Sequence, residues 1–118
     1  MLAHGSILRQ KFYSSEQLNS IARDYHTADL TPAEIAMMAF AEQVVRDATA
    51  VTQNDIDELR AHGFSDAEIF DITTTVTARC FFSKTLDALG AEPDEVYLAL
   101  EEELRQTLTI GRPISKRC

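Results

Sequence analysis

The chain has 118 residues, 45% of them hydrophobic and 25% charged, and a formal net charge of −8. One domain of that length buries roughly two thirds of the surface its unfolded chain exposes, and no apolar run reaches the roughly 18 residues that a membrane span requires. The excess of 19 acidic over 11 basic side chains argues against a nucleic-acid surface, which rests on clustered Lys and Arg. With no pattern of an export signal in view, cytoplasmic residence is the expectation.

Helix signals follow one another along the chain. Leu2, Ala3, Ile7 and Leu8 have helical spacing and predict a helix over 2–11, in which His4 shares a stripe with Ile7 and Leu8. A histidine on such a stripe is expected to be partly buried and satisfied by one hydrogen bond. Ser14 followed by Gln17 forms a capping-box pattern and opens 15–25, and Thr31 with Glu34, reinforced by Pro32 at the first helical position, opens 32–49. Thr52 with Asp55 opens 53–61, closed by Gly63, and Ser65 with Glu68 opens 66–89, closed by Gly90. A last helix is expected over 93–108. The fold class is all-α, a single-domain bundle of about six helices over 1–110, followed by a loose tail over 111–118.

Two of these helices carry unusual patterns. Ile35, Ala36, Met37, Met38, Ala39, Phe40 and Ala41 are continuously apolar, so nearly two turns lack a polar face and are expected to be buried on most sides, at the centre of the bundle or in a subunit interface. From Ile72 to Thr77 the chain is rich in β-branched residues, which lowers helix propensity by a few tenths of a kcal/mol each. The helix is still expected, because the start and stop signals frame it and its threonines can bond back to carbonyls one turn earlier.

Few residues offer chemistry. His4 is the foremost titratable candidate; His62 precedes Gly63 at a helix end, where an imidazolium meets the helix dipole, and His26 falls in a loop. The three share no metal-ligand spacing, and no HExxH motif, CxxC pair or aspartate-rich loop is present, so no metal is expected. The scarce glycines form no phosphate-cradling loop, and no cofactor is expected. Cys80 lies in an apolar stretch and is expected to behave as a small buried hydrophobe, with Arg79 and Lys84 nearby in sequence; Cys118 is expected to be exposed. Arg105, Arg112, Lys116 and Arg117 gather towards the C-terminus, a charge pattern expected to be solvated.

The segments "LAHGSILR", "DYHTADLTPAEIAMMAFAEQVVRDA", "VTQNDIDELRAHGFSDAEIFDI" and "FFSKTLDALGAEPD" together resemble the peroxidase-related branch of the alkylhydroperoxidase D (AhpD-like) and carboxymuconolactone decarboxylase superfamily, over about residues 2 to 97. The resemblance implies an all-helical homo-oligomer with a hydroperoxide substrate and a thiol reductant. In the thiol-dependent members the active segment reads CxxCxxxH followed closely by glycine, and here only "MLAHG" matches it. The resemblance therefore implies His4 as the catalytic histidine. It also puts the second cysteine of the pattern immediately before Met1 and the first three residues earlier, so that Met1 is expected to be an internal methionine.

In that pattern the helix dipole acidifies cysteines at its N-terminus, and a histidine four residues after the second cysteine shares its face and exchanges a proton with it. The leading expectation is a peroxidase-like antioxidant role, with the CxxC pair missing from this chain. Two alternatives stand beside it: cofactor-free, decarboxylase-like proton chemistry through His4, and a non-catalytic helical oligomer that acts by association.

Overall fold

The four hydroxyl-led start signals all become helix N-termini. In this computed structural model, which describes residues 1–115, six α-helices form: α1 Leu2–Lys11, α2 Ser15–Arg23, α3 Pro32–Asp47, α4 Gln53–Ala61, α5 Asp66–Ala88 and α6 Glu102–Leu108. Lys116, Arg117 and Cys118, and with them the end of the expected tail, lie outside the described residues. No strand occurs among the described residues, so the all-α class holds.

The caps explain why the helices begin where they do. Ser14 Oγ accepts from the Gln17 N–H at 3.2 Å while Gln17 Oε1 accepts from the Ser14 N–H at 2.9 Å, and Ser65 with Glu68 makes the same exchange at 3.2 and 2.7 Å. Thr31 and Glu34 do so ahead of Pro32. At Thr52 the Asp55 carboxylate takes both the N–H and the hydroxyl, at 2.7 and 2.8 Å. These backbone bonds, first among the causes, hold the Glu34, Asp55 and Glu68 carboxyls below their ordinary range.

The stops are equally local. Gly63, at φ +94°, follows α4, with Phe64 N–H donating to Leu59 O and Gly63 N–H to Arg60 O; this is a Schellman ending, whose glycine takes a backbone conformation that side chains resist. Ala91 and Gly90 close α5 in the same way on Leu86 and Asp87. Inside α5, Thr73, Thr74, Thr77 and Thr85 each donate a hydroxyl to the carbonyl four residues back, so the β-branched run stays helical.

The expected helix over 93–108 is broken. A 3₁₀ helix at Glu95–Ala99 is separated from α6 by Leu100 and Glu101, both in non-helical backbone. The cause is the pull on Glu101. Arg9 reaches its Oε1 through Nε at 3.0 Å and Nη2 at 2.7 Å, and the same Nε lies 2.7 Å from Ser15 Oγ. Drawn towards α1 and α2, Glu101 becomes the residue before a new helix, whose first turn then carries Glu102 and Glu103 at the positive end of the dipole. Similarly, 32–49 ends early because the Asp47 carboxylate binds the Thr49 N–H and hydroxyl and winds Ala48–Ala50 into a 3₁₀ turn.

The chain forms two compact units, Met1–Asp29 with the chain from Leu86 on, and Leu30–Thr85. In the first, Leu2, Leu18, Leu104 and Leu108 are buried together, flanked by Tyr13, Tyr97, Leu100 and Ile114. The second is centred on Phe40, Leu59 and Ile69, with Val44, Ile56, Phe64 and Ile72 packed around them. Within the apolar run of α3 only Phe40 is buried; Ile35, Ala36, Met37, Met38 and Ala41 are half-buried and Ala39 is exposed. The expectation that this run is buried on most sides is therefore not met within the chain, because α4 and the start of α5 cover one side of α3.

The Glu101 carboxyl is lowered to about 2, by the Ser15 hydroxyl first, then its own backbone N–H and Arg9. A carboxyl depressed on folding favours the folded chain above its ordinary value, 4.5, and loses that contribution as pH falls through about 2. Glu101→Gln is expected to lower the thermal midpoint at neutral pH and to flatten its decline between pH 4.5 and 2, as followed by circular dichroism.

Candidate functional site

His4 lies in the first turn of α1, and what positions it is its neighbour. The inward stripe of α1 runs through the buried Leu2 and Gly5 and the half-buried Ser6 and Arg9, at helical spacings of three and four. Gly5 is buried because it has no side chain: a Cβ there would collide with Leu108 Cδ1 and come within 3.3 Å of Leu108 Cδ2. The last helix thus presses its Leu108 directly onto the α1 backbone.

This packing turns the other stripe outward. His4 is exposed, with Ile7 at 50% and Leu8 at 36% exposure, which corrects the expectation of a partly buried histidine. Apolar spacing alone was read as the core face of α1, whereas the contact is made at a glycine, a residue that carries no hydropathy. The sequence signal that would have found it is the His-Gly pair itself, with the glycine three residues after Leu2.

The other candidates do not join His4 in one constellation of the first unit. His26 is exposed in the loop after α2, its N–H on Asp24 Oδ1 at 3.0 Å and its ring 4.1 Å from that of Tyr25. In the second unit, exposed His62 is the C-terminal cap of α4, and its N–H bonds the Glu58 and Leu59 carbonyls at 3.1 Å. Cys80 on α5 is half-buried rather than buried. The Arg79 guanidinium is turned onto the Phe82 ring, 5.2 Å from its centre, in a cation–π contact. Among the described residues no group of three or more His, Cys, Asp and Glu is gathered to hold a metal ion, and no helix is long and apolar enough to cross a membrane.

The first unit presents an exposed imidazole in the first turn of α1, beside a glycine that admits close packing of Leu108. The helices build an AhpD-like fold. Among solved structures the chain is similar to the alkylhydroperoxidase AhpD core of an uncharacterized peroxidase-related protein from Ralstonia eutropha JMP134, with a TM-score of 0.74 and 29% identity over 81% of this chain and 50% of that one. The chain spans about half the length of that solved chain. No protein-family model matches it, and no curated protein matches it.

The close approach at Gly5 makes a testable sign change. An alanine there loses about 1–3 kcal/mol to overpacking and regains about 1 kcal/mol of helix propensity, so Gly5→Ala is expected to destabilise by about 1 kcal/mol. In a Leu108→Ala background, where the obstructing methyls are gone, the same change is expected to stabilise by up to about 1 kcal/mol. Chemical denaturation of the four chains reads both.

Proposed function

We propose that this chain is the helical body of a peroxidase-related, AhpD-like protein that reduces hydroperoxides, with His4 as its proton-transfer group. The observation that carries this reading is the likeness to the AhpD core together with an exposed His4 backed by Gly5 on α1. The thiol pair of the chemistry is not contained in these residues: Cys80 and Cys118 have no CxxC spacing. When α1 is continued upstream by one turn, a cysteine four residues before His4 falls on the histidine's face, at the positive end of the helix.

The reaction then balances as follows. A cysteine thiolate attacks the terminal peroxide oxygen, the O–O bond breaks, and the alkoxide leaves as an alcohol with a proton from the His4 imidazolium. The second thiol displaces water from the sulfenic acid and closes a disulfide. An external dithiol reopens it by exchange.

The same reading includes self-association. In the second unit, Phe70 and Phe81 stand eleven residues apart on one stripe of α5, at 67% and 74% exposure, and Phe82 is exposed on the adjacent stripe. The half-buried methionines of α3 add to the apolar surface. Single exposed apolar residues are ordinary, but a long helix whose aromatics face outward is the composition of an interface between copies.

Two measurements test this. Placing Cys-Ala-Ala-Cys directly before Met1 is expected to confer consumption of an alkyl hydroperoxide in the presence of a dithiol, and His4→Ala in that extended chain to lower the rate by about 100-fold. An extended chain that consumes no peroxide, or a rate indifferent to His4, overturns the catalytic reading. Light scattering after size exclusion is expected to give a multiple of 13.2 kDa, and Phe81→Glu to return it to the monomer; a monomer in both overturns the association.

A further inference from the structure

The cations near the C-terminus are not absorbed by the peroxidase reading. In a chain of net charge −8, every side chain after Glu103 that is charged at neutral pH is basic: Arg105, Arg112, Lys116 and Arg117. Arg105, on α6, lines a cavity. An open cleft of about 390 Å³ is bounded by Leu98, Arg105, Gln106, Thr109, Pro113 and Ile114. Its volume lies at the low end of the roughly 300–1,000 Å³ of small-molecule sites, so its ligand is small.

The cleft has two kinds of wall. Leu98, Pro113 and Ile114 are apolar, while Arg105 and Gln106 lie on α6 and Thr109 is its C-cap. The half-buried Arg105 is held in place by an Nη1 bond to the Leu98 carbonyl at 3.0 Å, which occupies one donor of a fork that carries five. The Thr109 hydroxyl donates to the Arg105 carbonyl at 2.7 Å, and the Gln106 amide to Glu102 at 3.2 Å. Each polar neighbour therefore has one donor engaged locally, and among the described lining residues the guanidinium is the charged group. A planar, pre-oriented fork beside an apolar wall matches a carboxylate on a short alkyl chain.

We infer that this cleft is a binding site for a small aliphatic carboxylate, whose head group is taken by Arg105 and whose chain lies along Leu98, Pro113 and Ile114. Neither His4 nor a cysteine is among the described residues that line the cleft.

The test uses the full chain with sodium octanoate and, as the uncharged control, 1-octanol, in ligand-observed NMR and titration calorimetry at neutral pH. Octanoate is expected to bind saturably and at least about tenfold more tightly than octanol, the gain of a charge-assisted pair. Arg105→Gln is expected to remove that preference without altering octanol binding. Because Arg105 also ties down Leu98, Pro113→Asp serves as a second variant: it keeps Arg105 and puts a repelling charge on the exposed rim, and it is expected to weaken octanoate by a similar factor. Non-saturable octanoate binding, equal binding of the two ligands, or a preference that persists in folded Arg105→Gln or Pro113→Asp, overturns the proposal.

Discussion

The close approach of Leu108 to the backbone at Gly5 is the contact on which the first unit depends. It brings the first and last helices of the chain together, lets Leu2, Leu18, Leu104 and Leu108 bury one another, and decides the rotation of α1 about its axis. Rotation in turn decides exposure. With Leu2 and Gly5 facing the core, His4 stands outward. The Arg9, Ser15 and Glu101 cluster reinforces the same juxtaposition from the polar side, and surface ion pairs of this kind set register more than they add stability.

Most of the secondary structure was legible because it is written in short-range hydrogen bonds. Ser14, Thr31, Thr52 and Ser65 need partners only three residues away, and Gly63 and Gly90 need only a backbone freedom that other residues lack. Apart from the early end of α3, set by Asp47 and Thr49 two residues apart, the differences came from contacts distant in sequence. Nothing near Glu101 announces that an arginine 92 positions away will pull it out of a helix. Nor does the stripe of His4, Ile7 and Leu8 reveal that its empty neighbour is the one that packs. The apolar run of α3 signals burial but does not say by whom, since hydropathy records the need for a cover and carries no information about which surface supplies it.

The two units differ in how they meet that need. The first buries Leu2, Leu18, Leu104 and Leu108 against one another and carries an exposed imidazole on α1 and a cleft along α6. The second closes around only Phe40, Leu59 and Ile69 and leaves the aromatics of α5 outside. A helix whose threonines bond back to its own carbonyls has its polar groups satisfied locally without its apolar side chains being covered. Such an element is complete as secondary structure before it is complete as tertiary structure.

The first unit is assembled from both ends of the chain, whereas Leu30–Thr85 is continuous. During synthesis the continuous unit has every one of its core residues in hand while α6 has yet to be made. The helix that carries His4 is made before the continuous unit, and its partner at Leu108 after it. Through all of that interval Leu2 and Leu18 remain uncovered, a long loop must be spanned before they are rewarded, and the nascent chain is open to the misassociation that accompanies non-local closure. The surroundings of α1 are therefore organised only once α6 has been made.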